Sequence, residues 1–504
     1  MTDASETGVD RSIALGASGR WPRCVFEPVP TRTAAELTSV TEHHVVHAAV
    51  SPQRPLRTET CSEDPRKQRE GVDKRRSASR RFRRTCLRPL PRLVCVERFA
   101  MVVASSVTSV PDDPPARSTS APIGAIETEV GSSALPLSTL VFGGASFGLS
   151  YHPDGHDRYV ASDTPRETLL RAFRAGVNAV DTSPFYIKSE ETIGKILQEP
   201  SFRAEFPRES YYLLTKTGRF GHRRTDFDYS RDRIRRSVIE SCRRLHTDHL
   251  DVVYLHDVEF VAEDVGGANA AGFPLKALAH PERYGLERTD VRGPGDERLL
   301  EGARALFELR DAGIVRRVGI AGYPLLTLLR LAQLIASPNG CNRPIDIVQS
   351  YSHHTLHNDT LPPFVPRFLA AGVRQVVSAS PLSMGLLRNG PAPRWHPASP
   401  ALHEAVRVAG ERVAPRQLAS VAMSFGLSSC GTGACATPSV VGFSTPDEVE
   451  VALDLNRRLP KAALAHRRPG EHVDAQTGAD ELAVVEEMER AGVHDWSWAS
   501  PPTA

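Results

Sequence analysis

Four side chains of this 504-residue chain could together move a proton at an oxygen atom: Asp181, Tyr186, Lys216 and His256. Asp181 and Tyr186 share one stretch, Asn178 to Tyr186, which reads NAVDTSPFY. Its first half is apolar and strand-forming, and Thr182, Ser183 and Pro184 are turn chemistry. Lys216 and His256 each end a later apolar run, YYLLTK and LDVVYLH. A free phenol has a pKa of about 10 and is a poor acid or base at neutral pH. A nearby ammonium favours the phenolate and lowers that value. A buried ammonium needs a carboxylate partner, which Asp181 can supply. A histidine can hydrogen-bond the reacting oxygen and fix its place. Such a set suits proton transfer at a carbonyl or alcohol oxygen while a hydride moves at carbon. It offers no nucleophile and no metal site, so the hydride partner must be a cofactor. Singly, each residue has a plainer reading: Asp as turn former, Lys as solvated charge, His as satisfied core residue. Their shared place at strand ends favours a site.

The elements that must position them follow one pattern. Leu140 to Phe142 is a short apolar strand ending in GGASFG, where Gly144 leaves room for a ligand against the backbone. Thr164 and Pro165 open a helix as N-cap and first helical residue, closed by Gly176. Strands are expected at 177–180, 211–215 and 250–255, with helices from Ser189 and from Ser230 to Leu245 between them. Further strands are expected at 318–321, 345–350, 373–378 and 439–441, with helices at 299–312, 325–335, 361–371, 401–409 and 416–427. A late helix runs from Asp480, as possible N-cap, to Ala491. Residues 262–296, rich in Gly, Pro and charge, read as an insertion in a connecting loop. About eight continuously apolar strands alternating with helices predict an α/β fold, a (β/α)8 TIM barrel over 135–504. Active sites of that fold lie at the C-terminal strand ends.

Composition sets bounds. Lys plus Arg number 62 and Asp plus Glu 60, a net charge of +2, which does not mark the whole chain as a nucleic-acid binder. Residues 1–122 show no sustained period and are expected to be a disordered, Arg-rich extension. Its run KRRSASRRFRR, 74–84, reads as a solvated tail or over-extended start, with Met101 a plausible beginning; nucleic-acid binding is the alternative. No apolar run is long enough to span a membrane, and the N-terminus lacks a leader pattern, so a cytoplasmic protein without a membrane partner is expected. The eight cysteines are scattered; Cys430 and Cys435 lack a second close pair, so neither zinc nor a disulfide framework is expected. The oligomer expectation is a monomer or weak homo-oligomer.

The motifs resemble the aldo-keto reductase superfamily over about residues 135 to 460. VDTSPFY (180–186), LLTKTGR (213–219) and LDVVYLHDVEF (250–260) match its tyrosine, lysine and histidine segments. The resemblance implies a catalytic tetrad of Asp181, Tyr186, Lys216 and His256, with Tyr186 as general acid in reduction and general base in oxidation. FPRESYYLLTKTGRFG (206–221), GIAGYP (319–324) and SASPLSMGLL (378–387) are similar to a group acting on D-arabinose in fungi and L-galactose in plants. That group oxidises the anomeric hydroxyl of an aldose to the aldono-1,4-lactone, a precursor of erythroascorbate in the D-arabinose case.

The resemblance also implies cofactor contacts at Gly144, Gln349, Ser380, Leu382, Gly385, Gly442, Phe443, Ser444 and Glu448. Ala321 and Gly322 stand where the family has a serine–asparagine pair, and Ala379 where it often has an aromatic. After the last strand, NADPH-preferring relatives place a lysine and an arginine; here Gly442 and Glu448 stand there. A carboxylate repels a 2′-phosphate and accepts from ribose hydroxyls, which predicts NAD over NADP. Glu448 can equally be an early-helix acid favoured by the dipole. The expected partner is a small sugar. Two other readings share the barrel: an NADPH-dependent aldehyde reductase, and a nucleotide-binding regulatory subunit.

Overall fold

The structure is a computed structural model; it describes residues 134–148, 151–152, 155–429, 436–459, 467–472 and 474–502. The expected extension 1–122, its basic run, Met101 and the Cys430–Cys435 pair lie outside these residues.

Eight parallel strands close into a barrel in chain order, with the last paired back on the first. They are β1 (Leu140–Gly143), β2 (Ala179–Asp181), β3 (Tyr212–Thr217), β4 (Leu250–His256), β5 (Val315–Gly322), β6 (Ile347–Tyr351), β7 (Gln375–Ala379) and β8 (Ser439–Gly442). Helices wrap them: α1 (Thr164–Arg174), α2 (Ser189–Leu197), α3 (Arg231–Arg244), α4 (Pro294–Asp311), α5 (Leu325–Ala336), α6 (Val365–Ala370), α7 (Pro400–Arg412), α8 (Leu418–Gly426), α9 (Pro446–Arg458) and α10 (Ala475–Arg490). This is the (β/α)8 barrel expected from the sequence.

Strand parity places the site. Side chains alternate across a strand, so every second residue shares a face. Ala179, Tyr212, Leu214, Val252, Tyr254, Ala321, Ile347 and Val377 form the barrel's inner core. Val180, Leu213, Val253, Leu255, Ile320 and Val348 belong to the outer cluster with the helices. Continuing the inner series upward gives Asp181 on β2, Lys216 on β3, His256 on β4 and Gln349 on β6. All four are buried polar residues standing above an apolar plug. Leu135 and Leu137, just before β1, belong to the same inner core.

Several boundaries differ from expectation. Lys216 is the second-last residue of β3, not its end. Thr164 lies inside α1, with Asp163 before it and no side-chain cap bond. Ser230 precedes α3 but makes no cap bond either. The helix expected over 361–371 is interrupted by its prolines into a 3-10 turn, Pro362–Phe364, and the short α6. Helix α4 begins at Pro294, taking the end of the expected insertion with it. Asp480 is not a cap: Asp474 caps α10 by accepting from Thr477 N at 3.1 Å, while Asp480 lies buried inside the helix. The insertion carries a short helix, Pro274–Ala277, and pairs by Gly272 with Ser497 of the C-terminal tail.

Candidate active site

Lys216 and Asp181 form an ion pair inside the mouth, with side chains 3% and 4% exposed. Lys216 Nζ also donates to Thr182 O at 3.1 Å. Gln349 Nε2 donates to the other carboxylate oxygen, Asp181 Oδ2, at 2.9 Å. Burial opposes the Lys216 charge, but Asp181 and Tyr186 outweigh it and raise its pKa. The ammonium is thus held charged where an isolated one would tend to neutralise.

Tyr186 ends a 3-10 turn, Pro184–Tyr186, directly above β2. Ser183 begins that turn, its side chain accepting from Phe185 N at 3.1 Å. Lys216 Nζ lies 5.0 Å from the Tyr186 ring centre. The His256 ring stands edge-on to Tyr186, with centres 5.8 Å apart. Four residues from three neighbouring strands and one loop therefore share one site. The phenol's pKa departs from expectation. Burial pushes it up, Lys216 pulls it down, and burial wins, so the net shift is upward.

His256 is buried, and burial, with Lys216 and Arg219 nearby, holds its pKa well below the ordinary imidazole value. Its Nε2 lies 3.7 Å from Asp257 Oδ2. With a neutral ring this is not an ion pair; Asp257 instead pairs with Arg219. Asp257 takes a left-handed backbone (φ 52°), which Asp tolerates better than most residues, and so turns the chain sharply after β4. Tyr229 Oη donates to His256 O at 2.7 Å. Gly218 (φ +94°) makes room for that ring: a Cβ there would stand 2.4 Å from Tyr229. Arg219 stacks over Phe185 at 3.6 Å, linking the turn below Tyr186 to Asp257.

A model of the family described as "Aldo/keto reductase family" matches residues 139–465. The chain belongs to the aldo/keto reductase family. It is 35% identical over 323 residues to D-arabinose 1-dehydrogenase of Saccharomyces cerevisiae, covering 63% of this chain and 82% of that protein. It is 31% identical over 325 residues to L-galactose dehydrogenase of Arabidopsis thaliana, covering 64% and 85%. Among solved structures, aldo-keto reductase AKR11C1 from Bacillus halodurans is 20% identical, with a TM-score of 0.45, covering 73% of this chain and 94% of that one.

Enzymes of the family use a nicotinamide cofactor, and the mouth offers matching chemistry. Gln349 spends one amide hydrogen on Asp181. Its carbonyl and second hydrogen are the complement of a carboxamide. Ala321 and Ala379 carry only methyl groups at the ends of β5 and β7, and Gly442 ends β8 exposed. Ser380 and Gly385 take positive φ (63° and 83°) in the loop after β7, with Leu382 partly buried between them. Other expected contacts are committed elsewhere. A Cβ on Gly144 would meet Ser189 Oγ at 2.8 Å, so this glycine serves close packing against α2. The Phe443 ring is buried against Phe142, and its carbonyl accepts from Ser146 Oγ at 2.5 Å. Ser444 N donates to Glu448 Oε2 at 2.6 Å, and Thr445 caps α9 by accepting from Glu448 N. Glu448 thus already works as an early-helix acid, with one oxygen spent in its own loop.

Ser183, Gln349's bond to Asp181 and the Arg219–Asp257 pair were not singled out as site contacts by sequence. Ser183 lies within the DTSPFY string, but a serine beside a proline reads as turn chemistry. Among the described residues no group of His, Cys, Asp and Glu could hold a metal ion, and no helix is long and apolar enough to cross a membrane.

Proposed function

We propose that this protein oxidises an aldose of the D-arabinose type at its anomeric carbon to the aldono-1,4-lactone, with NAD as hydride acceptor. The observation that carries the reading is the charged Lys216–Asp181 pair set against the Tyr186 ring, beside a neutral His256. The named relatives supply the substrate class.

A bound nicotinamide would accept the hydride from C1, held by Gln349 and by the loops at Ser380, Leu382, Gly385, Gly442, Phe443, Ser444 and Glu448. The remaining work belongs to the chain. His256 donates a hydrogen bond to the anomeric oxygen and fixes it beside Tyr186. Tyr186 takes the hydroxyl proton as the C1–O bond becomes a carbonyl. Lys216 stabilises the phenolate, and Asp181 holds Lys216 charged and in place. The ring closed through the O4 oxygen makes the product a 1,4-lactone. The exposed carboxylate of Glu448, with no lysine or arginine at the matching positions, supports NAD over NADP.

The test is turnover by the full chain. NADH formation is followed with D-arabinose, L-galactose and L-fucose, and each is repeated with NADP. NAD-linked turnover that Tyr186→Phe lowers by about 10³-fold or more is expected. Nucleotide binding without turnover on any sugar would overturn the reading and leave a regulatory nucleotide-binding protein.

A further inference from the structure

Ser183 is fully buried, and its hydroxyl touches two groups of the site. Its Oγ lies 3.1 Å from Phe185 N, in the turn that carries Tyr186. The same Oγ lies 3.0 Å from His256 Nδ1. A serine hydroxyl has one hydrogen and two lone pairs. The Phe185 amide can only donate, so it occupies one lone pair. The hydroxyl hydrogen then needs an acceptor. Among the described residues, His256 Nδ1 is the one acceptor that its Oγ reaches. If Nδ1 carried the imidazole hydrogen, two donors would face each other and a buried O–H would be left unsatisfied. With Nδ1 bare, every group is matched.

On the ring's other side Asp257 Oδ2 lies 3.7 Å from Nε2, beyond hydrogen-bond reach, and is already paired with Arg219. The choice of tautomer therefore rests on the Ser183 contacts, which leave the hydrogen on Nε2, free for a ligand.

We propose that Ser183 is a positioning residue that fixes His256 as the tautomer bearing its hydrogen on Nε2. Resting on the proposed function, this makes Nε2–H the donor to the anomeric oxygen. The other tautomer would turn a lone pair toward that oxygen and hold it poorly. One hydroxyl thereby ties the proton-accepting Tyr186 turn and the oxygen-holding histidine into one unit.

Two measurements test this. The first is ¹⁵N NMR of the full chain labelled at histidine, without ligand, with His256 assigned by its absence in His256→Gln. A bare Nδ1 and a protonated Nε2 are expected in the wild type, and a mixture of tautomers in Ser183→Ala. A hydrogen on Nδ1 in the wild type overturns the proposal. This readout needs no substrate, so it stands or falls separately from the sugar reading. The second is kinetic. Ser183→Ala is expected to lower kcat about 10- to 100-fold with a smaller change in KM, and Ser183→Thr to recover most of the loss. In a His256→Ala background, Ser183→Ala should change kcat less than about twofold. An equal loss in both backgrounds would mean that Ser183 acts only by capping the Tyr186 turn, and would also overturn the proposal.

Discussion

At the scale of single residues, the site is a contest between burial and charge. Lys216 draws the Tyr186 proton off, yet burial holds it on, and the phenol's pKa rises. In the proposed sugar oxidation the base is the phenolate. Below the phenol's pKa its fraction grows about tenfold per pH unit. Oxidation, measured as kcat/KM, should therefore climb with pH from neutral to at least pH 9 without a plateau. Lys216→Met removes the one strong force favouring phenolate and should depress activity throughout by about 10²-fold or more. A flat profile between pH 7 and 9 would show that Tyr186 is not the base. The four residues were legible because strand parity is: an apolar run ending in Asp, Lys or His places that side chain at the barrel mouth. The direction of the phenol's shift was not legible. It depends on how much of the ring is covered, and Lys216 and His256, which stand against it, come from other strands. Ser183 is the same case, for its partner lies 73 residues away.

Sequence period marks the centres of helices and strands better than their ends. Expected ends failed where a cap or proline rule competed with packing, as at Asp480, whose neighbours bury it, and at the prolines before α6. What sequence period does not show is how closely two helices cross. Gly194 in α2 is such a crossing: a Cβ there would lie 1.8 Å from Arg244 O, the last residue of α3. The same contact carries Glu190, buried in α2, which accepts from Arg244 Nε at 2.7 Å and from Thr215 Oγ1 at 2.6 Å on β3. Gly194→Ala gains about 1 kcal/mol of helix propensity. No side chain can yield to a backbone carbonyl, so α2 must move away from α3 and from the strand that bears Lys216. A net loss of about 1–3 kcal/mol is expected, seen as a lower urea midpoint. A midpoint at or above that of the wild type would mean the two helices separate freely.

Across the whole molecule, the C-terminal tail fastens the loops above the barrel, and it does so over neutral histidines. Trp498 stacks on Tyr323 at 4.5 Å and on His357 at 5.9 Å, and meets His396 edge-on at 5.2 Å. Ser497 Oγ lies 3.3 Å from His353 Nε2. Ser500 Oγ donates to Glu259 Oε1 at 2.7 Å. Burial lowers the pKa of His353 and His357 to about 3 and that of His396 to about 4. The unfolded chain binds those protons near pH 6.5, so each histidine's contribution is complete above about pH 6.5 and is lost as pH falls toward 3 or 4. Glu259 works the other way. Burial, and then Asp257, raises its pKa to about 8, so its contribution is complete below its ordinary value of 4.5 and is lost as pH rises toward 8. Between pH 6.5 and 5 the fully buried pair, His353 and His357, outweighs the single carboxyl. His396 adds in the same direction, so the net effect is a fall in stability as the pH drops. The urea midpoint should therefore drop between pH 7 and pH 5. Glu259→Gln should steepen that drop by removing the opposing slope, and His357→Gln should flatten it. Equal wild-type midpoints at pH 7 and pH 5 would mean these histidines take up protons in the folded state, and that the tail does not rest on neutral rings.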